Sequence, residues 1–254
     1  MSPSETLVLG TYFFVLVILA AYGWHRYYLV YLYMKNKDKH PVPSRPMTEL
    51  PVVTVQLPIY NEMYVADRLI DAVCEMDYPR ELLEIQVLDD STDETTSVAE
   101  RAVRRNAAKG IDITYIHRTD RTGYKAGALE NGLKTAKGEF VAIFDADFLP
   151  AENFLEDVVN YFSDPEVGMV QVRWGHINRE YSLLTQVESV ILDGHFMIEH
   201  GGRHLSGRFF NFNGTAGIWR KRAIEESGGW QHDLFIPTQD SEGRFQQADL
   251  APTS

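Results

Sequence analysis

From residue 52 onward, short apolar runs alternate with longer segments of helical periodicity. The runs predict five strands, at 52–58, 83–90, 111–117, 139–145 and 168–174. The other segments predict helices at 65–76, 95–109, 124–136, 152–162 and 181–196. Strands that alternate with helices of this length form right-handed crossovers and a mainly parallel sheet. Because the strands are almost continuously apolar, we expect an α/β, Rossmann-like fold with helices on both faces of the sheet.

A different apolar segment precedes these elements. Residues 7–24 carry no charge, and the tyrosine-rich stretch 27–34 follows after His25 and Arg26. Eighteen uncharged residues are about the length that spans a bilayer, which predicts one transmembrane helix within an anchor at residues 1–35. A buried core helix and a cleaved signal peptide are the alternatives. The signal peptide is disfavoured because no positive charge precedes the apolar run and no small-residue cleavage site follows it.

Charge on the two sides of this segment predicts its orientation. Only Glu5 precedes it, whereas four cations follow it at Lys35, Lys37, Lys39 and Arg45. By the positive-inside tendency, we expect a single-pass protein of the cytoplasmic membrane whose remaining chain is cytoplasmic. The polar, proline-punctuated stretch 36–51 then predicts a linker, followed by one α/β domain at 52–233.

Composition excludes some function classes. The chain has 254 residues, of which 44% are hydrophobic, so one sizeable domain with an appendage is expected. A net charge of −12 without a basic stripe argues against nucleic acid as a partner. A small anionic ligand remains compatible if a divalent cation lies between it and the acids. The lone Cys74 cannot form an internal disulfide and fits a reducing compartment.

Polar side chains follow three of the predicted strands. The segments are PIYNE at 58–62, LDDSTDE at 88–94 and DADFLP at 145–150. Because the carboxyl ends of parallel strands share one edge of a sheet, we expect these segments to converge on one ligand site. Tyr60, Asn61 and Glu62 offer an aromatic ring and polar groups to a base and ribose, and Asp89 and Asp90 offer carboxylates.

Two further features favour a nucleoside diphosphate as the ligand. Asp145 and Asp147 flank a single residue, and their carboxylates are hard oxygen ligands for Mg²⁺ or Mn²⁺. Lys125 follows Gly123 near a predicted helix start, where an ammonium and backbone N–H groups suit phosphate oxygens. No GxGxxG follows the first strand and no GxxxxGK[ST] occurs, which disfavours dinucleotide redox chemistry and P-loop hydrolysis. A nucleotidyltransferase is an alternative. Such an enzyme would need a glycine-rich basic loop after the first strand, and PIYNE does not provide one.

Five segments in order, PIYNE, VLDDSTDET, GYKAGALENG, VAIFDADFLP and NFNGTAGIWR, resemble a family 2 glycosyltransferase of the GT-A fold. Within that family they resemble the cellulose-synthase-like and glucomannan-synthase-like branch, over residues 50 to 233. The resemblance implies inverting transfer of a hexose from UDP-glucose or GDP-mannose to a glycan or lipid acceptor, forming a β-linkage.

The same resemblance assigns roles to individual positions. It implies nucleotide binding by Tyr60, Glu62, Asp89, Asp90 and Lys125. It implies a metal site at Asp145 and Asp147. It also implies that the donor sugar and the acceptor entrance lie near Asn213, Gly214 and Thr215.

The last part of the chain departs from the family pattern. After GGWQHD at 228–233, neither the Thr-Glu-Asp that carries the general base nor the acceptor-side Gln-x-x-Arg-Trp occurs. Thr238-Gln239-Asp240 is the nearest match, which makes Asp240 the candidate base. A positioned base contributes about 10²- to 10⁴-fold to such rates, so we expect donor binding with impaired transfer. A non-catalytic nucleotide-sugar-binding membrane protein is the alternative. The tail at 234–254 has no periodicity and is expected to be disordered.

Two other groups of residues have side chains of types that bind metals or sugars. His195, His200 and His204 lack the full spacing of a zinc helix, so a structural or solvated role is predicted. Trp174 and Trp230 suit either stacking on sugar rings or core packing.

Overall fold

The computed structural model describes residues 2–39, 41–43 and 45–231. These residues form two compact units. The first combines the described residues of Met1–Pro41 with Trp174–Phe210, and the second combines those of Val42–Arg173 with residues 211–231. The sequence predicts one α/β domain at 52–233; in the structure, residues 174–210 group with the N-terminal helix in the first unit.

The elements are numbered in chain order. The strands are β1 (Val53–Ile59), β2 (Leu83–Asp89), β3 (Ile113–His117), β4 (Phe140–Ile143), β5 (Met169–Gln171) and β6 (Gly217–Arg220). The α-helices are α1 (Pro3–Asn36), α2 (Ala66–Cys74), α3 (Thr95–Ala107), α4 (Tyr124–Leu133), α5 (Phe154–Val159), α6 (Leu183–Gly194), α7 (Gly201–Leu205) and α8 (Lys221–Glu226).

The second unit is built on a six-stranded sheet in the order β3-β2-β1-β4-β6-β5. Strands β1 to β4 are parallel, whereas β6 runs antiparallel to β4 and β5. One apolar cluster packs α2, α3 and α5 against the sheet, and a second cluster contains residues of α4 and α8. Helices therefore cover both faces, which confirms the predicted GT-A-like architecture. Strand β6 was not predicted, because four residues within NFNGTAGIWR give too short a pattern.

The sheet opens between β1 and β4 at their carboxyl ends. Strand β1 pairs with β2 along its whole length, but its pairing with β4 ends at Gln56 and Ile143. Pro58 lies just beyond this point in β1 and has no N–H to continue a ladder. Because β1 is also where the strand order reverses, the opening lies at the switch point where such sheets bind ligands.

The first unit consists of α1 and the helical segment that follows residue 174. Helix α1 begins with a capping box between Ser2 and Glu5, and at 34 residues it is long and apolar enough to cross a bilayer. Its most apolar window has no buried residue in the structure, in contrast to a core helix. Farther along, Leu29 and Leu32 are buried, and Gly202 of α7 lies against the Leu29 carbonyl.

The predicted helix 181–196 is longer in the structure. Helix α6 continues through a π-helical turn at His195–His200 into α7, and Glu199 of that turn pairs with Arg26 of α1 at 2.9 Å. The rings of His195 and His200 lie 4.3 Å apart. Burial, followed by the charge of His195, lowers the pKa of His200 to about 4. A neutral ring in an aromatic setting fits the predicted structural role.

The two tryptophans weighed for sugar stacking make packing contacts. Trp230 is buried in the core of the second unit, edge to face with Trp219 at a centroid distance of 5.7 Å. Trp174, in the first unit, lies edge to face with Phe196 at 5.7 Å. For Trp230, burial therefore favours core packing over contact with a sugar.

Candidate functional site

A cavity of about 350 Å³ lies at the carboxyl ends of β1, β2 and β4. We call it the acidic cavity; its charged and aromatic lining is Tyr60, Glu62, Asp90, Arg121, Lys125, Asp145 and Asp147. A second cavity, of about 240 Å³, lies near Leu83 at the start of β2. Parallel sheets bind ligands beyond the carboxyl ends of their strands, so the acidic cavity is the candidate site.

The loop after β1 is fastened to the loop after β2. Asn61 adopts a left-handed backbone conformation with φ of 55°. Its N–H donates to Ser91 Oγ at 2.9 Å, and its Oδ1 accepts from the Thr92 N–H at 2.9 Å. These two bonds fix the positions of the neighbouring residues Tyr60 and Glu62 at the cavity.

The two acids after β2 have different environments. Asp90 lines the cavity, and its Oδ1 accepts from Arg118 Nε at 2.8 Å while Arg118 Nη2 binds the other oxygen. Asp89 is fully buried and does not line the cavity. Its carboxylate accepts from Tyr115 Oη at 2.6 Å and from the Ser91 N–H at 2.9 Å. The structure therefore brings Asp90, and not Asp89, to the predicted nucleotide site.

A close backbone approach positions the cations of the site. Gly123 and Tyr124 have φ of 73° and 48°, and α4 begins at this turn. A Cβ on Gly127 would lie 2.1 Å from the Thr122 carbonyl oxygen, so only glycine lets the preceding loop pack on the first turn of α4. This packing places Arg121 and Lys125 in the wall of the acidic cavity.

The segment 213–215 is joined to the end of β4. Lys125 Nζ contacts Asp145 Oδ1 and donates to the Gly214 carbonyl at 2.9 Å. The Asp145 N–H donates to Thr215 Oγ1 at 2.9 Å. The Asn213 N–H donates to Gln171 Oε1 at 2.8 Å, which ties the segment to β5. The structure thus brings the predicted donor-sugar residues next to the predicted metal residues.

The side chains present fit a divalent cation. Asp145 is half-buried and Asp147 is exposed, on the loop that follows β4. The pKa of Glu62 is raised, first by burial and then by the negative charges of Asp147 and Asp145. Within the described ranges, no third His, Cys, Asp or Glu joins the pair closely enough to form a metal cluster. Two carboxylates facing a region of excess negative charge suit Mg²⁺ or Mn²⁺ that takes its other ligands from phosphate and water.

Sequence reasoning missed Arg118, Arg121 and Gln171. Arg118 holds Asp90, Gln171 holds segment 213–215, and Arg121 lies in the cavity wall. The two arginines occur in RTDRTGYK, directly before the glycine turn, and that cluster of cations was an available signal. The candidate base Asp240 and the tail after residue 233 lie outside the described residues, so both assignments stay predictions.

Comparison with known proteins identifies the family of the chain. Residues 54–228 match the model of glycosyl transferase family 2. The chain is 44% identical over 197 residues to probable glucomannan 4-beta-mannosyltransferase 7 of Oryza sativa subsp. japonica, covering 76% of this chain and 34% of that protein. It is 42% identical over 224 residues to glucomannan 4-beta-mannosyltransferase 2 of Arabidopsis thaliana, covering 84% of this chain and 42% of that protein. The chain thus spans less than half the length of these relatives.

A solved structure extends the comparison. A mannosyltransferase from Pyrobaculum calidifontis, in complex with GDP-Man and Mn²⁺, superposes with a TM-score of 0.63 at 30% identity. The superposition covers 86% of this chain and 59% of that protein.

Proposed function

The chain belongs to glycosyl transferase family 2, and from that premise we propose that it binds GDP-mannose with a divalent cation and transfers mannose to a glycan acceptor. The donor is chosen from the two that the sequence left open because the plant relatives are named as mannosyltransferases and the Pyrobaculum structure contains GDP-Man. The family match also removes the reason to keep a nucleotidyltransferase as an alternative.

The observation that carries this proposal is the convergence of three loops on one cavity. Tyr60 and Glu62 come from the loop after β1, Asp90 from the loop after β2, and Asp145 and Asp147 from the loop after β4. These residues are far apart in sequence and of the types that a nucleoside diphosphate with a metal ion requires. A chance cluster of acids would not explain why an aromatic ring and two cationic side chains line the same cavity.

Each residue has a physical role in the proposal. The bidentate Arg118 contact fixes the Asp90 carboxylate, which then accepts hydrogen bonds from ribose or base. Lys125, which contacts Asp145 in the structure, would turn its ammonium to phosphate oxygens when Asp145 and Asp147 hold the cation. The cation supplies Lewis-acid neutralisation of the charge on the departing GDP. Asn213, Gly214 and Thr215 line the side on which the donor sugar meets the acceptor.

Transfer with inversion also needs a base for the acceptor hydroxyl. We assign that role to Asp240, in Thr-Gln-Asp, and propose that Gln239 in place of the family's Glu slows transfer without weakening donor binding. The reduction is expected to lie within the roughly 10²- to 10⁴-fold that a positioned base contributes. Helix α1 anchors the protein in the cytoplasmic membrane, with the second unit on the cytoplasmic side, and the acceptor is a glycan or a lipid-linked glycan.

The test uses the full chain in lipid nanodiscs with GDP-mannose and Mn²⁺. Binding is measured by calorimetry, and GDP release is followed with and without mannan or glucomannan oligosaccharides. We expect Mn²⁺-dependent binding, slow GDP release, and faster release by the Gln239→Glu variant. Binding with no GDP release at all favours the non-catalytic alternative. Fast transfer by the unaltered chain contradicts the impairment, and absence of binding contradicts the proposal.

A further inference from the structure

Arg121 lies in the wall of the acidic cavity in an unusual contact. Its guanidinium carbon is 3.3 Å from the centroid of the Tyr60 ring and 5.0 Å from that of Tyr124. Its Nε is buried and has no hydrogen-bond partner in the described part of the chain. A buried N–H without an acceptor is destabilising, because the donor has lost water without gaining a partner. In the described part of the chain no protein group supplies that acceptor, and Arg121 lies in the wall of a cavity where a ligand can supply one once the side chain turns toward it.

Arg118 provides the contrast. It binds both oxygens of Asp90 and donates to the carbonyls of Thr122 and Tyr124, at 3.3 and 3.0 Å. Nε, Nη1 and Nη2 of Arg118 therefore each donate to a group of the protein. Arg121, three residues later, lines a cavity with four carboxylates but stacks on an aromatic ring. Within the described residues, Arg121 thus lines the cavity with an unpaired N–H, whereas Arg118 is held by Asp90 and two backbone carbonyls.

The chemistry of this arrangement points to a planar acceptor. A guanidinium stacked on Tyr60 is held in a fixed plane, and its N–H fork matches two adjacent acceptors in that plane. Guanine presents such a pair in O6 and N7, and an arginine bound to both is a common specific contact to this base. Uracil has no adjacent pair, because its two carbonyls are separated by an N–H. The Asp90 carboxylate in the same cavity complements the N1–H and N2–H donors of guanine.

We propose that Arg121 determines the base specificity of the donor site and selects guanine over uracil nucleotides. This inference rests on the proposed function, since it requires a nucleotide in the acidic cavity. It differs from a general electrostatic role, in which Arg121 only attracts phosphate and GDP and UDP benefit equally.

The experiment compares GDP, UDP and inorganic pyrophosphate as ligands of the full chain in nanodiscs with Mn²⁺. The variants are Arg121→Ala and Arg121→Lys, and the matched control is Arg104→Ala, which removes an exposed arginine of α3 paired with Glu100. We expect Arg121→Ala to weaken GDP binding by about tenfold, or ~1.4 kcal/mol, with a much smaller change for UDP. Pyrophosphate affinity stays the same. Arg121→Lys keeps the charge but loses the planar fork, so it weakens GDP binding to a similar extent.

The ratio of GDP to UDP affinity is the decisive readout, because a merely structural role leaves it unchanged. An equal loss for GDP, UDP and pyrophosphate, or an unchanged ratio in both variants, overturns the inference while leaving the proposed function intact. A parent chain that binds neither nucleotide overturns both. Melting temperatures of the variants identify loss of fold, and the lysine variant carries the test if the alanine variant unfolds.

Discussion

At the scale of single residues, Gly127 determines where the cations of the site lie. The absence of its Cβ allows the Thr122 carbonyl to approach the first turn of α4. The same carbonyl accepts a hydrogen bond from Arg118, so the loop and the Asp90 contact depend on one close approach. The geometry of the acidic cavity therefore depends on a glycine that is not part of its lining.

The substitution Gly127→Ala tests this dependence. A Cβ cannot remain 2.1 Å from a carbonyl oxygen, so the loop must shift and carry Arg121 with it. We expect GDP affinity to fall by about tenfold, since a displaced bidentate contact costs ~1–3 kcal/mol. The control is Gly175→Ala, where no atom lies within 4 Å of the added Cβ. Unchanged GDP affinity in a folded Gly127→Ala variant, measured by calorimetry, contradicts this role.

Much of the acidic cavity was predictable residue by residue. Tyr60, Glu62 and Asp90 follow predicted strands directly, and so does the Asp-x-Asp pair. That placement alone predicts that they share one site, and all of them line the cavity. The sequence does not distinguish Asp89 from Asp90. Successive side chains of a strand point to opposite sides, and which of the two faces the cavity depends on the residue at which the strand ends. Arg121 was missed because its position depends on the left-handed turn at Gly123 and Tyr124.

At the scale of elements, α1 is proposed as a membrane anchor because of its length and its apolar composition. Its side chains from Leu7 to Val17 are mostly exposed and apolar. The strands and helices of the second unit were also predictable, because buried parallel strands give continuous apolar runs. Strand β6 and the extension of α6 through a π-helical turn were not, since the sequence pattern around each is short or irregular.

Charged substitutions test α1 as a membrane anchor. The double substitution Val15→Arg with Leu19→Arg puts two charges at the centre of the helix. Each arginine at that depth costs about 2.5–3.5 kcal/mol of insertion free energy. We expect most of the double variant to leave the membrane fraction after an alkaline carbonate wash. Ser4→Arg, at the start of α1, serves as the control and should stay with the membrane. Equal retention of all three proteins contradicts the anchor.

At the scale of the whole molecule, the balance of charge at the acidic cavity determines whether an anionic donor binds. A chain with a net charge of −12 binds an anionic donor only if cations offset its own acids at the site. Lys125 supplies part of that charge, and the pKa of Glu62 is raised first by burial and then by the negative charges of Asp147 and Asp145. The opening between β1 and β4 gives the space for a diphosphate and its metal ion. The fold thus provides the cavity, and we infer that the metal provides the remaining charge.

The most direct measurement is a calorimetric titration of GDP with and without Mn²⁺ into the full chain and three variants. Asp145→Asn and Asp147→Asn remove the proposed ligands, and Asp157→Asn removes an exposed acid of α5 as the control. We predict that Mn²⁺ strengthens GDP binding by more than about tenfold in the parent and in Asp157→Asn, because metal coordination is worth several kcal/mol. In the other two variants this gain should disappear. An equal Mn²⁺-dependent gain in all four proteins would contradict a metal-bridged diphosphate held by Asp145 and Asp147.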